Sequence, residues 1–213
     1  MLNEKLLKKA LKLYAGDHVL KRVLELGEDA LRLNGVPQEL TLMFIQTTPN
    51  HPPEQEKSIS DINNSILSLI TRSVLDNGGV VDSFIGTDVF AFWGIDGKLG
   101  HEEQAARCAL DIVARVNTPS AHSLPSIKTR IGINTGTVLI GNTGSESRMR
   151  FTVLGDAVTL ASGLTSLCAS YPGVNILMTE FTQARLVESF GQKNVGRINV
   201  KGRDKEVALF ALH

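Results

Sequence analysis

Cysteine is scarce, with two in 213 residues, Cys108 and Cys168. Both fall in apolar helical patterns and neither belongs to a Cys-x-x-Cys pair. That excludes a disulfide framework and suits reduced core residues of a chain expected in the cytoplasm. The five histidines are scattered without zinc-ligand spacing. Aromatics make up 5%, with a single tryptophan, and Trp93 with its neighbouring phenylalanines reads as core rather than as a base-stacking platform. No stretch approaches the roughly 18–20 uninterrupted apolar residues of a membrane span. The charged, amphipathic N-terminus is no secretory signal. Neither sign of charge prevails, at 22 Lys+Arg against 22 Asp+Glu. That balance argues against nucleic acid or acidic lipid as a default partner and leaves only local patches open.

The chain does hold enough apolar residue, 42%, for one ordinary domain with an appendage. Residues 1–35 read as an amphipathic helical leader. Leu2, Leu6, Leu7, Leu11 and Tyr14 sit at helical spacing among lysines. Val19, Leu20, Val23, Leu24 and Leu26 make a second run after Ala15-Gly16, with Asp17 as its expected cap. The apolar stripe needs a partner, either the main domain or a second copy.

Residues 36–213 read as the main domain. "ELTLMFIQ", bounded by "NGVP" and "TTPNHPP", predicts a strand. Ile59, Ile62, Ile66, Ile70 and Val74 predict a helix stopped by Asn77-Gly78-Gly79. "VVDSFIG" and "TDVFAFWG" predict two strands joined at Gly86. Ala105, Ala109, Ile112 and Val116 predict another helix, opened by a surface His101, and a surface loop follows to Pro125. "KTRIGINTG" and "TVLIGN" predict two strands with a hairpin at Thr135-Gly136, leading to a polar arm, "TGSESRMR". Val158, Ala161, Leu164 and Cys168 mark a helix, "VNILMT" a strand, 180–190 a short helix, and "RINVKG" with "EVALFAL" the closing strands. This β-α-β-β-α-β order predicts an α+β fold, a ferredoxin-like sandwich with helices on one face of an antiparallel sheet.

Four segments then resemble one family in order and spacing: "LTLMFIQTT", "GGVVDSFIGTDVFAFWG", "RIGINTGTVLIGNTGSESRMRFTVLGDAVTLAS" and "INVKGRDKEVALFAL". From about Asp17 onward the chain resembles the class III adenylyl/guanylyl cyclase catalytic domain. The resemblance implies that fold, and conversion of a nucleoside triphosphate to a 3′,5′-cyclic monophosphate and pyrophosphate. Two ions, magnesium or manganese, would assist at a head-to-tail dimer interface. It also implies a homodimer, or a heterodimer with a cyclase-type domain, with "TGSESRMR" as a dimerisation arm.

Carried over residue by residue, the resemblance exposes losses. Gln46 stands where the family has its first metal Asp, and Thr87 where it has the second. Asp88 is one place too late, because Gly86 and Trp93-Gly94 anchor the family spacing to Thr87. Adjacent strand residues face opposite ways, so Asp88 serves only if the strand is bulged. Thr159 replaces the transition-state Asn, Gly163 the Arg, and Ser83 the base-reading Lys. Two positions survive, Thr152 facing the base and Lys201 at the phosphates. The expectation is a degenerate cyclase-homology domain that binds no resident metal and acts as a dimerising regulatory module with residual nucleotide binding. Two other readings stay open. One is an active cyclase with displaced ligands, using magnesium or manganese. The other is a protein-interaction scaffold without a nucleotide pocket.

Overall fold

A computed structural model describes residues 2–49, 56–117, 127–200 and 206–213. The chain divides into two compact units, one of residues 1–38 and 137–155, the other of residues 39–136 and 156–213.

In the first unit, helices α1 (Leu2–Ala15) and α2 (Asp17–Leu26) are separated by Gly16 at φ 92°. A 3-10 turn, Gly27–Leu31, follows. Asp17 is not the cap of α2. Gly16 holds that place, and Asp17 bridges Lys12 at 2.9 Å and Lys21 at 3.0 Å. Hydrogen bonds from both lysines hold its carboxyl below the usual value. The stabilisation from this bridge is therefore present above the ordinary carboxylate range and is lost as pH falls through the lowered value. The rest of the unit is a hairpin. Strand β4 (Ile127–Ser145) pairs through its second half with β5 (Arg148–Leu154), from Leu139 opposite Leu154 to Ser145 opposite Arg148. Asn142 donates to the carbonyls of Ala30 and Arg32 at 2.7 and 2.8 Å, tying the turn after α2 to this hairpin.

The second unit carries the sheet. Its strands include β1 (Gly35–Pro49), β2 (Val80–Ile85), β3 (Asp88–Trp93), β6 (Ile176–Thr179), β7 (Lys193–Ile198) and β8 (Val207–Ala211), in the order β2-β3-β1-β4-β6-β8-β7. Pairing is antiparallel between β1 and β3, β2 and β3, β6 and β8, and β7 and β8, but β4 and β6 run parallel. Helices α3 (Glu56–Asp76), α4 (His101–Asn117), α5 (Asp156–Leu167) and α6 (Glu180–Gln183) complete the unit.

Three expectations change. The segments around Thr135-Gly136 form no hairpin: β4 runs through them as one strand of 19 residues. Gly136 has no positive φ there. It serves close packing instead, since a Cβ on it would meet Ala157 Cβ at 3.1 Å. The hairpin turn falls in the polar arm, between Ser145 and Arg148. Secondly, helices cover both faces of the sheet. Ile176 and Met178 join α3 and α4 in one apolar cluster, whereas Leu177 between them joins Leu164 and Cys168 in another. Side chains that alternate along a strand face opposite ways, so α5 packs opposite α3 and α4. Thirdly, the helix expected over 180–190 is a single turn, α6. The loop expected after Asn117 lies, from residue 118 to 126, outside the described residues.

Both cysteines are free and buried. Burial pushes the Cys168 thiol up to about 11 and raises Cys108 as well. At pH 8 only about a thousandth of Cys168 is the reactive thiolate. Iodoacetamide is therefore expected to label neither cysteine in the folded chain and both in denaturant; labelling of either under native conditions would contradict the packing.

Candidate functional site

The positions singled out on β1, β2 and β3 meet at one end of those strands. β1 and β3 pair in register from Thr41 opposite Trp93 to Ile45 opposite Val89, which brings Gln46 and Thr47 to Thr87 and Asp88. Gly86, at φ 65°, turns the chain between β2 and β3, a conformation that glycine adopts without a Cβ penalty. Beside it the hydroxyl of Thr47 donates to the carbonyl of Thr87 at 3.0 Å. The hydroxyl of Thr87 donates back to the carbonyl of Thr47, also at 3.0 Å. Asp88 Oδ1 accepts from the backbone N–H of Thr47 at 3.2 Å. The strand end is thus closed by a reciprocal clasp of two hydroxyls and one carboxylate oxygen.

The register irregularity in this hairpin lies on β2, between Val81 and Ser83, and not at Asp88. Ser83 follows that bulge and is half-buried. Thr159 and Gly163 lie on α5 and are exposed, and a Cβ built on Gly163 finds no atom within 4 Å. Thr152 belongs to the first unit, buried on β5 opposite Gly141. Lys201 lies outside the described residues. Among the described residues, no group of three or more His, Cys, Asp or Glu side chains is placed to hold a metal ion. An open groove of about 630 Å³ lies between α3 and the β2 edge, lined by residues that include Leu67, Arg72, Leu75 and Phe84. It takes in none of the positions named above.

A buried polar network escaped the sequence reading. His101, expected at the surface, is 8% exposed. Its Nδ1 lies 2.8 Å from the Thr41 hydroxyl, which lies 2.9 Å from the Thr135 hydroxyl, itself 3.1 Å from that of Thr182. Glu102, 5% exposed, approaches His101 at 3.5 Å and Arg185 at 3.6 Å. Arg185 is held more closely by both carboxylate oxygens of Glu39, at 2.6 and 3.3 Å. Gly94 makes room for the imidazole, since a Cβ there would lie 2.9 Å from the ring. One signal was available. Thr41 and Thr135 occupy inward slots of strands whose other inward residues, such as Met43 and Ile133, are apolar, and a buried polar group needs a partner. His101→Ala is expected to cost about 2–3 kcal/mol, from lost packing and a hydroxyl chain left short of a partner. A urea midpoint equal to wild type would contradict this.

Comparison with known proteins agrees with this fold. The profile of the adenylate and guanylate cyclase catalytic domain matches residues 42–213. A terminal-differentiation specific adenylate cyclase of Dictyostelium discoideum is 35% identical over 158 residues, 71% of this chain and 7% of that protein. Adenylate cyclase 1 of Rhizobium meliloti is 29% identical over 182 residues, 81% of this chain and 27% of that protein. An adenylate cyclase of Anabaena cylindrica is 32% identical over 155 residues, 69% of this chain and 30% of that protein. The chain therefore spans less than a third of the length of these relatives. Among solved structures, a bacterial light-regulated adenylyl cyclase superposes with a TM-score of 0.83 at 22% identity, covering 99% of this chain and 62% of that one. The adenylyl cyclase CyaB of P. aeruginosa gives 0.69 at 26%, covering 85% and 96%. With a profile match running from Leu42 to the last residue, the chain belongs to the adenylate and guanylate cyclase catalytic domain family.

Proposed function

We propose that this chain has kept the cyclase fold and lost its turnover, and acts in cyclic-nucleotide signalling as a dimerising regulatory module with residual nucleotide binding. The clasp at the β1 and β3 ends carries the reading. A hard divalent ion relies on carboxylates together with substrate phosphates. Gln46 supplies a neutral amide there, and the hydroxyls of Thr47 and Thr87 are spent on each other's backbone. Asp88, the remaining carboxylate, is bonded to Thr47 N–H. The residues present do not fit a two-metal centre.

The second half of the chemistry is missing as well. Thr159 offers only a short hydroxyl and Gly163 has no side chain, so neither brings a positive charge to a reacting phosphate. Pairing with a competent subunit would therefore supply at most one half of a site while this chain left the other open. Dimerisation is proposed from the family. A guanylyl cyclase domain of the RhoGC fusion protein from Blastocladiella emersonii, similar in fold at a TM-score of 0.68 and 18% identity, is described as a non-canonical dimer.

Residual binding would use Thr152 and Lys201, which keep the family's residue types. Equilibrium titration with a non-hydrolysable nucleoside triphosphate tests it. Saturable binding that falls about tenfold in Lys201→Ala, the loss of roughly one charge-assisted phosphate contact, is the expected result. Absence of binding would leave a bare interaction scaffold. A cyclic product that Asp88→Ala abolishes would instead establish an active enzyme with displaced ligands.

A further inference from the structure

Helix α1 divides along its length into two chemically distinct halves. At 3.6 residues per turn, Leu6, Leu7, Ala10, Leu11, Leu13 and Tyr14 share one side, while Lys5, Lys8, Lys9 and Lys12 share the other. Most of the apolar side is uncovered within the chain: Leu6 is 63% exposed, Leu13 71% and Tyr14 93%, while Ala10 and Leu11 are half-buried. On the basic side Lys8 pairs with Glu4 and Lys12 with Asp17. Lys5 and Lys9 have no ion-pair partner among the described residues. Four lysines against one glutamate in this helix contrast with a chain whose overall charge is zero.

We propose that α1 lies in the surface of an anionic lipid bilayer, with its leucines and Tyr14 among the acyl-chain ends and its lysines at the phosphate headgroups. Two observations favour that occupant over a second copy. The apolar sector spans about half the helix, the proportion of an interfacial helix, rather than the narrow two-position seam of a coiled coil. Its charged face is almost entirely cationic, so two copies offer each other no opposite charge, whereas acidic headgroups complement every lysine. No helix in the described residues is long and apolar enough to cross a membrane, so the contact is one of lying on the surface. The proposal does not depend on whether the nucleotide pocket is active.

The test is co-sedimentation of the full chain with vesicles of equal phosphatidylglycerol and phosphatidylcholine, and with vesicles of phosphatidylcholine alone. Partition into the acidic vesicles is expected to exceed that into neutral ones about tenfold, and to fall as strongly in 0.5 M salt. Lys5→Glu with Lys9→Glu, and separately Leu6→Gln with Leu13→Gln, are each expected to reduce it about tenfold. Circular dichroism matching that of wild type, as expected for exposed substitutions, would show that the fold is retained. Failure to sediment with acidic vesicles overturns the proposal. So does a wild-type dimer, seen by light scattering, that the leucine pair of changes dissolves while vesicle binding is unaffected, because a second copy would then cover the stripe.

Discussion

Wild-type chain supplied with ATP, GTP, CTP or UTP and manganese is expected to release no cyclic nucleotide, and Gln46→Asp with Thr87→Asp to create a manganese site that wild type lacks. Two unit charges 4 Å apart interact by about 4 kcal/mol at an effective dielectric near 20, and a divalent ion doubles each such term before hydration offsets most of it. A residue of about 3 kcal/mol corresponds to roughly a hundredfold gain in affinity, readable by electron paramagnetic titration of free manganese. The same change breaks the Thr87 hydroxyl bond to the Thr47 carbonyl and sets two like charges side by side. Metal-free protein should therefore melt below wild type and recover when manganese is added. Turnover is expected to stay absent in this double variant, because losing one positioned transition-state donor costs about 2.7–4 kcal/mol and both Thr159 and Gly163 would still be in place. Gly163→Arg is sterically free, with no atom within 4 Å of its Cβ position, so adding it with Thr159→Asn tests the other half without disturbing the core. Cyclic product from the wild-type chain, or unchanged manganese affinity in the double variant, would overturn the reading of this strand end.

Gly132→Ala is expected to be the most destabilising small substitution in the second unit. The strand position of Gly132 faces α5, and a Cβ there would sit 2.2 Å from the carbonyl oxygen of Ala161 and 2.7 Å from Leu164 Cβ. A backbone carbonyl inside a helix has no rotamer into which it can retreat, so strand and helix must separate. Overpacking of this kind costs about 3 kcal/mol or more, a fall in Tm of roughly 6–12 °C for a chain of this size. Gly163→Ala on α5 itself is expected to do the reverse. Its Cβ meets nothing, and alanine in a helix interior is favoured over glycine by about 1 kcal/mol. Trp93, the chain's single tryptophan, is fully buried and donates its indole N–H to the carbonyl of Asn77 at 2.9 Å. Its fluorescence thus reports the unfolding of both variants. Equal midpoints for the two alanine variants would contradict the packing of α5 on the sheet.

Much of the fold was legible in the chain. The periodicities over Ile59–Val74 and Ala105–Val116 became α3 and α4, and the alternation around Gly86 became the β2–β3 hairpin. Of the candidate site, the chain gives the identities of Gln46, Thr87, Thr159 and Gly163, and the resemblance gives only the roles expected at those positions. What these residues contact was not legible. The clasp depends on Thr47, to which no motif pointed, and on the alignment of β1 with β3 across some forty residues of sequence. The hairpin expected at Thr135-Gly136 failed for a similar reason. Glycine there looks like a turn, yet it serves the close approach of Ala157, a residue about twenty positions further on.

By itself the sequence determined most of the elements, their order and the family, because those follow from local periodicity and from the identity of side chains. Only the tertiary structure decided which strands run parallel, that α5 covers the face opposite α3 and α4, that His101 is buried against Thr41, and that hydroxyls close the strand end. These depend on which distant segments share a face and a register, and hydrogen bonding and packing between such segments are settled only when the chain has closed on itself.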